Sequence, residues 1–278
     1  MSTPAIGLAL GGGSARGLAH IPMLEAFDEL GLKPKVIAGC SIGSLVGAGY
    51  AGGMSTREIR EHAERLLSNR LTAMRYAFGE KRLNPLDLLA MKGLASLHVK
   101  GETLAGLVLP EGLPERIEDL PIPFKVIATD FDMMEERVLA SGPLAKAVAA
   151  SIAIPGVILG PQYDGHVYVD GGVTNPVPFD HVRDGVDIVV AVDVTGRPRD
   201  KFGAHRSNME LAVGSLLILF NQVASLRRAL APPDIYIRPA IEDFAGGDFF
   251  KLHEVLAQAA PAKDQLKREL EQRIEALT

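Results

Sequence analysis

The sequence has one cysteine, no surplus of positive charge and no apolar run long enough to cross a bilayer. The single cysteine, Cys40, has no partner for an internal disulfide, and no cysteine and histidine spacing resembles a zinc site. The formal net charge of −5 lacks the basic surplus that neutralises nucleic acid phosphates. We therefore expect no disulfide scaffold, no metal and no nucleic acid partner, and a reducing, cytoplasmic location.

The apolar stretches are short. The run 5–10 stops at three glycines and follows no basic segment, so it is interpreted as a first strand and not as a signal peptide. The most apolar later stretch, 216–220, is followed by Asn221 and Gln222. It falls short of the roughly 20 apolar residues that a membrane span needs. No segment is expected to span a bilayer.

What the sequence does contain is an alternation of strands and helices. A strand at 5–10 precedes a helix at 17–30 that ends at Gly31, and a strand at 36–39 precedes a helix of small residues at 42–50. Further segments follow the same pattern: strands at 124–129, 166–169, 188–194 and 235–237, and a helix at 144–153. The pattern predicts an α/β fold, a three-layer α/β/α sandwich with a mainly parallel central sheet.

Two helical segments differ from this alternation. Segment 57–82 is locally basic, and its arginines and lysines are interpreted first as a solvated face. The alternative is a lid that meets lipid headgroups, since apolar side chains lie among the charges. Segment 263–277 has an apolar face and is predicted to dock on the core or on a second copy, so a homo-oligomer stays open.

The sharpest local motif is a G-x-S-x-G pattern between a predicted strand and a predicted helix. Ser41 is its serine, and Gly39 and Gly43 are its glycines. Such an elbow turns so tightly that the serine is projected outwards, and its neighbours need to lack side chains. The N–H groups of the new helix also favour an alkoxide at the serine. The alternative is a helix-capping serine in a chance pattern.

A second glycine-rich turn, 11–17, also connects a strand to a helix. Its spacing fits a dinucleotide-binding loop poorly, because Arg16 stands where the third glycine would fall. Backbone N–H groups beside a nucleophile can instead stabilise the oxyanion of acyl transfer. Gly12, Gly13 and Ser14 are the candidate donors, and Arg16 is interpreted as a structural residue that bonds carbonyls.

A nucleophilic serine needs a base. By their order along the chain, four histidines are candidates for a serine, acid and histidine triad: His166, His181, His205 and His253. None lies in a recognisable motif. Asp170, by contrast, ends a predicted strand and precedes Gly171 and Gly172, although an ordinary turn would explain it equally well if it stood alone.

Together these motifs resemble the patatin-like phospholipase family, particularly its bacterial members. The loop 11–17 with Arg16 and Gly17 resembles the family's oxyanion loop, 39–43 its nucleophile elbow, and 170–172 its Asp-Gly-Gly motif. Similar landmarks at 128–130 and 150–155 are interpreted as structural. The resemblance covers roughly 6–183.

The resemblance implies a catalytic dyad of Ser41 and Asp170, no cofactor, and cleavage of lipid acyl esters through an acyl enzyme. Such a chain would be a phospholipase A, a lysophospholipase or a carboxylesterase. We expect the catalytic domain at 5–184 and strands and helices that complete the same fold at 185–278. A noncatalytic lipid or acyl-group binding protein and an acyltransferase remain alternatives.

Three departures from the family pattern stand out. Ser14 replaces a usual glycine, and Cys40 precedes the nucleophile where threonine is common. The stretch 131–137 carries Met133 and Met134 where small turn residues are usual. The first two departures leave the chemistry intact, whereas the third affects substrate shape. If segment 57–82 is a lid and not a solvated face, it would make peripheral membrane contact, at the inner membrane face.

Overall fold

The computed structural model describes residues 4–68, 99–163, 165–196 and 208–277. The strands are β1 Ile6–Leu10, β2 Val36–Cys40, β3 Val99–Lys100, β4 Phe124–Asp130, β5 Glu135–Leu139, β6 Ile158–Leu159, β7 Gln162–Tyr163, β8 His166–Asp170, β9 Ile188–Val192 and β10 Ile235–Ile237. The α-helices are α1 His20–Glu29, α2 Ile42–Ala51, α3 Thr56–Leu67, α4 Gly101–Val108, α5 Leu144–Ser151, α6 Asn208–Leu230 and α7 Leu252–Leu277.

The main sheet has the strand order β10-β9-β1-β2-β4-β8-β7, and β5 also pairs with β4. Neighbours from β10 to β4 are parallel, whereas β5, β8 and β7 form the antiparallel pairs. The carboxyl ends of β9, β1, β2 and β4 therefore meet at one edge, the carboxyl edge of the sheet. The predicted α/β fold with a mainly parallel central sheet is confirmed.

Helices cover both faces of this sheet because the strands are apolar on both sides. On one face, Ile6, Leu8 and Leu10 of β1 belong to the large core formed with α1, α2, α5 and α7. On the other face, small residues such as Ala9 and Ala38 pack in a smaller core that includes Ala224 of α6.

Two predicted helices have different starts in the structure. The helix predicted at 17–30 begins with a 3₁₀ turn, Ser14–Ala19, before α1, and Gly31 follows it at φ +64 as predicted. The helix predicted at 263–277 is the second half of α7, which continues through Pro261 from Leu252. Its leucines Leu266 and Leu270 are buried in the main core, so this helix docks on its own chain.

Segment 57–82 is described only in part. Its first eleven residues belong to α3, which Ser55 and Glu58 cap reciprocally, and residues 69–82 lie outside the described residues. Arg60 pairs with Glu25 of α1, and Arg57 lies 3.6 Å from Glu61. Membrane contact through 57–82 stays a prediction. Within the described ranges, no helix has the length and apolarity of a membrane span.

Candidate active site

Ser41 lies at the junction of β2 and α2, in a strained backbone conformation. Its φ of +52 and ψ of −124 fall in a region that residues with side chains rarely adopt. The turn leaves no room for side chains at the two motif glycines. A Cβ atom at Gly39 would lie 2.6 Å from the carbonyl oxygen of Gly43, and one at Gly43 would lie 2.1 Å from that of Leu10. Both motif glycines are therefore needed for the elbow.

Asp170 meets Ser41 from the opposite direction. The Oγ of Ser41 donates a 2.7 Å hydrogen bond to Oδ2 of Asp170. Asp170 ends a strand, as the sequence indicates, but β8 runs antiparallel to β4 and pairs Asp170 with Ala128. The general rule that carboxyl ends of parallel strands gather a site therefore does not explain its position. β2 and β8 run in opposite directions, and their carboxyl ends meet at the site.

The carboxylate of Asp170 is buried and held at both oxygens. Its Oδ1 accepts a 2.8 Å hydrogen bond from the N–H of Gly172, and its own N–H donates to the carbonyl of Ala153. Burial raises the pKa of Asp170 to about 6, while the hydrogen bonds from Ser41 and Gly172 lower it. An acid with this pKa is ionised at neutral pH and can still accept a proton, as a general base must.

The two glycines after Asp170 have separate packing roles. A Cβ atom at Gly171 would lie 2.2 Å from the carbonyl oxygen of Ile127, and one at Gly172 would lie 2.6 Å from the ring of Phe220. The Asp-Gly-Gly motif thus allows close approach to β4 on one side and to α6 on the other.

Two buried hydroxyl groups, in segments predicted only as structural landmarks, bond to the backbone of Ser41 and Asp170. Ser151 accepts a hydrogen bond of 2.8 Å from the N–H of Ser41 and donates one to the carbonyl of Ile127. Thr129 donates to the carbonyl of Asp170 at 3.1 Å. Their landmarks in the sequence indicate no role in the site, and only the tertiary structure shows that they bond to Ser41 and Asp170.

The glycine-rich loop lies beside the nucleophile, although its N–H groups are not equivalent. A Cβ atom at Gly12 would lie 3.2 Å from the Cβ of Ser41. The N–H of Gly12, however, donates to the carbonyl of Pro176 at 2.9 Å. Among the described residues, the N–H groups of Gly13 and Ser14 have no such partner. The role predicted for Gly12 as a donor therefore needs this bond to break.

Arg16 and Gly17 stabilise this loop from behind. Arg16 is buried, and its Nη1 donates a 2.7 Å hydrogen bond to the carbonyl of Phe244, in agreement with a structural role. A Cβ atom at Gly17 would lie 2.0 Å from the side chain of Ile42, the residue after the nucleophile. The loop and the elbow are in direct contact at this point.

Two of the four candidate histidines have other partners. His166 pairs with Asp130 at 3.1 Å, and His181 hydrogen-bonds to Glu136. His253 lies on α7, and His205 lies outside the described residues. Among the described residues, no histidine bonds to the serine or the aspartate of the dyad, so the triad alternative has no support here.

Two groups of side chains bring possible metal ligands within 4.8 Å of one another: Asp130, Asp132 and His166, and Glu136, Asp180 and His181. Both groups have protein partners. The carboxylate of Asp130 accepts the N–H groups of Asp132 and Met133, and Arg227 bonds to both Glu136 and Asp180 at 2.7 Å. These bonds tie β5 and α6 to the chain after the Asp-Gly-Gly motif.

Residues 8–183 match the family described as patatin-like phospholipase. The chain is 35% identical over 196 residues to Uncharacterized NTE family protein Mb1092c of Mycobacterium bovis, covering 70% of this chain and 50% of that protein. It is 27% identical over 274 residues to Lysophospholipase NTE1 of Pyricularia oryzae, covering 90% of this chain and 18% of that protein.

Among solved structures, VipD from Legionella pneumophila is 16% identical with a TM-score of 0.49, covering 96% of this chain and 67% of VipD. The chain spans half or less of the length of the two curated relatives. The family match nevertheless covers more than half of this chain and includes the elbow, the glycine-rich loop and the Asp-Gly-Gly motif. The chain therefore belongs to the patatin-like phospholipase family.

Proposed function

We propose that this chain is a serine acyl hydrolase that cleaves fatty acyl esters of lipids through an acyl enzyme on Ser41. The observation that carries the proposal is the 2.7 Å hydrogen bond from Ser41 Oγ to a buried carboxylate of Asp170. A serine becomes a nucleophile when an adjacent base takes its proton. The family and the name of Lysophospholipase NTE1 support a lipid ester as the substrate class.

In the first half of the reaction, Asp170 accepts the proton of Ser41 while Oγ attacks the acyl carbonyl carbon. The carbonyl oxygen becomes an oxyanion, for which the N–H groups of Gly13 and Ser14 are the donors we assign. The intermediate then collapses, the bond to the leaving oxygen breaks, and Asp170 returns the proton to that oxygen. An alcohol or lysolipid leaves, and the acyl group stays on Ser41.

In the second half, water replaces the leaving alcohol. Asp170 accepts a proton from water as the water oxygen attacks the acyl carbon, and the same donors stabilise the second oxyanion. The bond to Ser41 Oγ then breaks, Oγ recovers the proton from Asp170, and a fatty acid is released. An acyltransferase would use the same steps with an alcohol in place of water.

A covalent probe tests the proposal directly. A fluorophosphonate should label the chain, and peptide mass mapping should place the label on Ser41 alone. Incubation with phosphatidylcholine and lysophosphatidylcholine should release fatty acid, measured by mass spectrometry, with Ser41→Ala protein as the matched control. Lipid that is retained without labelling or fatty acid release would identify a noncatalytic binding protein instead.

The pKa of Asp170 predicts an acid limit to activity. Only the ionised carboxylate can accept the proton of Ser41, so kcat/KM should fall below the pKa of about 6. The fall should be about tenfold for each pH unit. The measurement is a profile of kcat/KM on a soluble ester between about pH 5 and pH 8. Thermal melts at each pH show that the chain is folded, and a profile without an acid limb would contradict the assigned base.

A further inference from the structure

Among the exposed large apolar side chains of the described surface, two groups lie at the carboxyl edge of the sheet. One is the tip of the hairpin between β4 and β5, with Phe131, Met133 and Met134. The other is the first half of α6, with Leu211, Ile218 and Leu219. Each of these six side chains is more than half exposed. We call them the apolar rim. Exposed apolar patches of this kind mark surfaces that contact another molecule or a membrane.

The hairpin tip projects beyond the carboxyl edge of the sheet. Ala128 pairs with Asp170 at the level of the dyad, and β4 continues two residues further before the turn. The N–H of Phe131 donates to the carbonyl of Val167 at 2.9 Å, which fixes the base of the turn on β8. Met134 has a φ of +56, a conformation that favours glycine. The turn thus carries a large apolar residue at a conformational cost.

The first half of α6 projects from the same edge. Asn221, in the middle of α6, donates to the carbonyl of Gly196, which lies just past the carboxyl end of β9. Beyond the carboxyl end of α6, the carbonyl of Pro232 accepts a hydrogen bond from Arg183, which lies before the start of β9. The helix therefore runs antiparallel to β9. The twelve residues before Phe220 extend about 18 Å past the edge at 1.5 Å per residue. None of residues 211–220 is buried in the described structure.

The nucleophile lies between these two projections. Ser41 follows β2, which stands between β9 and β4 in the sheet order. Phe220 of α6 packs against Gly172, two residues from Asp170, and the hairpin continues the strand that pairs with Asp170. A flat apolar medium that touched both parts of the rim would therefore lie over the edge from which Ser41 acts.

The charges near the rim identify the kind of surface. The hairpin tip, 131–135, carries Asp132 and Glu135 and no basic residue, and 211–220 carries no charged residue. Anionic lipids attract basic segments, and the rim itself contains none. The basic residues that precede α6 in the sequence, Arg197, Arg199, Lys201 and Arg206, lie outside the described residues. Large apolar side chains gain free energy from burial in lipid without any charge pairing, at roughly 25 cal/mol per Å².

We propose that the apolar rim docks this chain on a zwitterionic lipid bilayer and places Ser41 over the lipid esters there. The inference rests on the proposed function for its substrate but not for its binding surface. It assigns membrane contact to the hairpin tip and to α6, whereas the sequence analysis assigned it to 57–82.

Flotation with phosphatidylcholine vesicles tests the docking surface, with every protein carrying Ser41→Ala so that no lipid is consumed. The tip variant is Phe131→Ser with Met134→Ser, and the helix variant is Ile218→Ser with Leu219→Ser. Each should lower the partition coefficient at least tenfold. The matched control, Leu226→Ser with Leu230→Ser, changes exposed leucines at the other end of α6 and should partition like the parent protein.

Two further readouts separate the alternatives. Replacing part of the phosphatidylcholine by phosphatidylserine should not strengthen binding, and adding salt should not abolish it. Binding that requires phosphatidylserine would overturn the proposal, as would equal partition of all variants. Sedimentation velocity without vesicles tests a second copy as the occupant, and a dimer that the tip and helix variants convert to monomer would also overturn it.

Hydrolysis rates test whether the apolar rim brings Ser41 to membrane lipids. With Ser41 present, the ratio of vesicle lipid hydrolysis to hydrolysis of a dispersed short-chain ester should fall at least tenfold in the tip and helix variants. If the parent protein hydrolyses neither substrate, the proposed function fails, while flotation still decides whether the rim binds lipid. A ratio equal to that of the parent protein would contradict the role of the rim.

Discussion

Replacing Ser41 by alanine or Asp170 by asparagine is expected to lower kcat for acyl ester hydrolysis by about 10⁴-fold or more, as in other serine hydrolases. The first change removes the oxygen that forms the acyl enzyme. The second keeps the size of the side chain but leaves no base within 2.7 Å of that oxygen. Because the two residues act in the same step, the double variant should be no slower than the slower single variant.

The measurement is kcat and KM on p-nitrophenyl acyl esters, with two histidine variants as controls. His166→Ala and His181→Ala remove the candidates for a triad, and both should keep kcat close to that of the parent protein. His181 bonds to Glu136, so its variant is compared at a temperature where melting curves show it folded. A histidine variant that is folded and as inactive as Asp170→Asn would establish a triad.

Stability separates loss of catalysis from loss of fold in the aspartate variant. Burial raises the pKa of Asp170 from its ordinary 3.8 to about 6. The folded state therefore holds this proton more tightly than the unfolded state, and stability falls as pH rises through that window. The cost of the buried charge at pH 8 is at most about 3 kcal/mol. Asp170→Asn should melt no lower than the parent protein at pH 8.

Gly13→Ala is expected to lower kcat by about 10²-fold to 10³-fold, the usual effect of misplacing an oxyanion donor. A Cβ atom at Gly13 would lie 2.0 Å from the carbonyl oxygen of Val194, which is backbone and cannot rotate away. The loop must shift, and it carries the N–H groups of Gly13 and Ser14 with it. KM should change less than kcat, because the donors act mainly in the transition state.

Gly106→Ala is the matched glycine control. Gly106 lies in α4, and a Cβ atom there meets nothing within 4 Å. The alanine should leave kcat unchanged and stabilise the helix by about 0.5–1 kcal/mol. If Gly13→Ala keeps full activity with a normal melting temperature, the loop is not the oxyanion site. If it unfolds, fluorophosphonate labelling of the fraction that remains folded still reports on the reactivity of Ser41.

Several features of the site follow from local sequence because their causes are local. The tight turn at Ser41 requires glycine two residues before and two residues after the serine. The structure shows the backbone contacts that leave no room for side chains at Gly39 and Gly43. The continuous apolar runs of β1, β2, β4 and β9 likewise identify the sheet, since these strands are buried on two faces. Gly31 at φ +64 is another local feature, set by the end of one helix.

Other features depend on strands that are far apart in sequence. The antiparallel direction of β8, which decides how Asp170 reaches Ser41, results from pairing with β4 across about forty residues. Ser151 and Thr129 position the dyad only because the fold brings them to it. The bond from Gly12 to Pro176 is equally nonlocal, and it turns a row of three similar N–H groups into one engaged donor and two open ones.

The sequence by itself determined the α/β class and predicted the nucleophile and its candidate base, since motif spacing and apolar periodicity record short-range geometry. The tertiary structure decided which residue faces Ser41, which N–H groups of the loop are open, and where apolar side chains gather around the carboxyl edge. Those outcomes depend on strand direction, helix length and burial, which arise only when distant segments pack together.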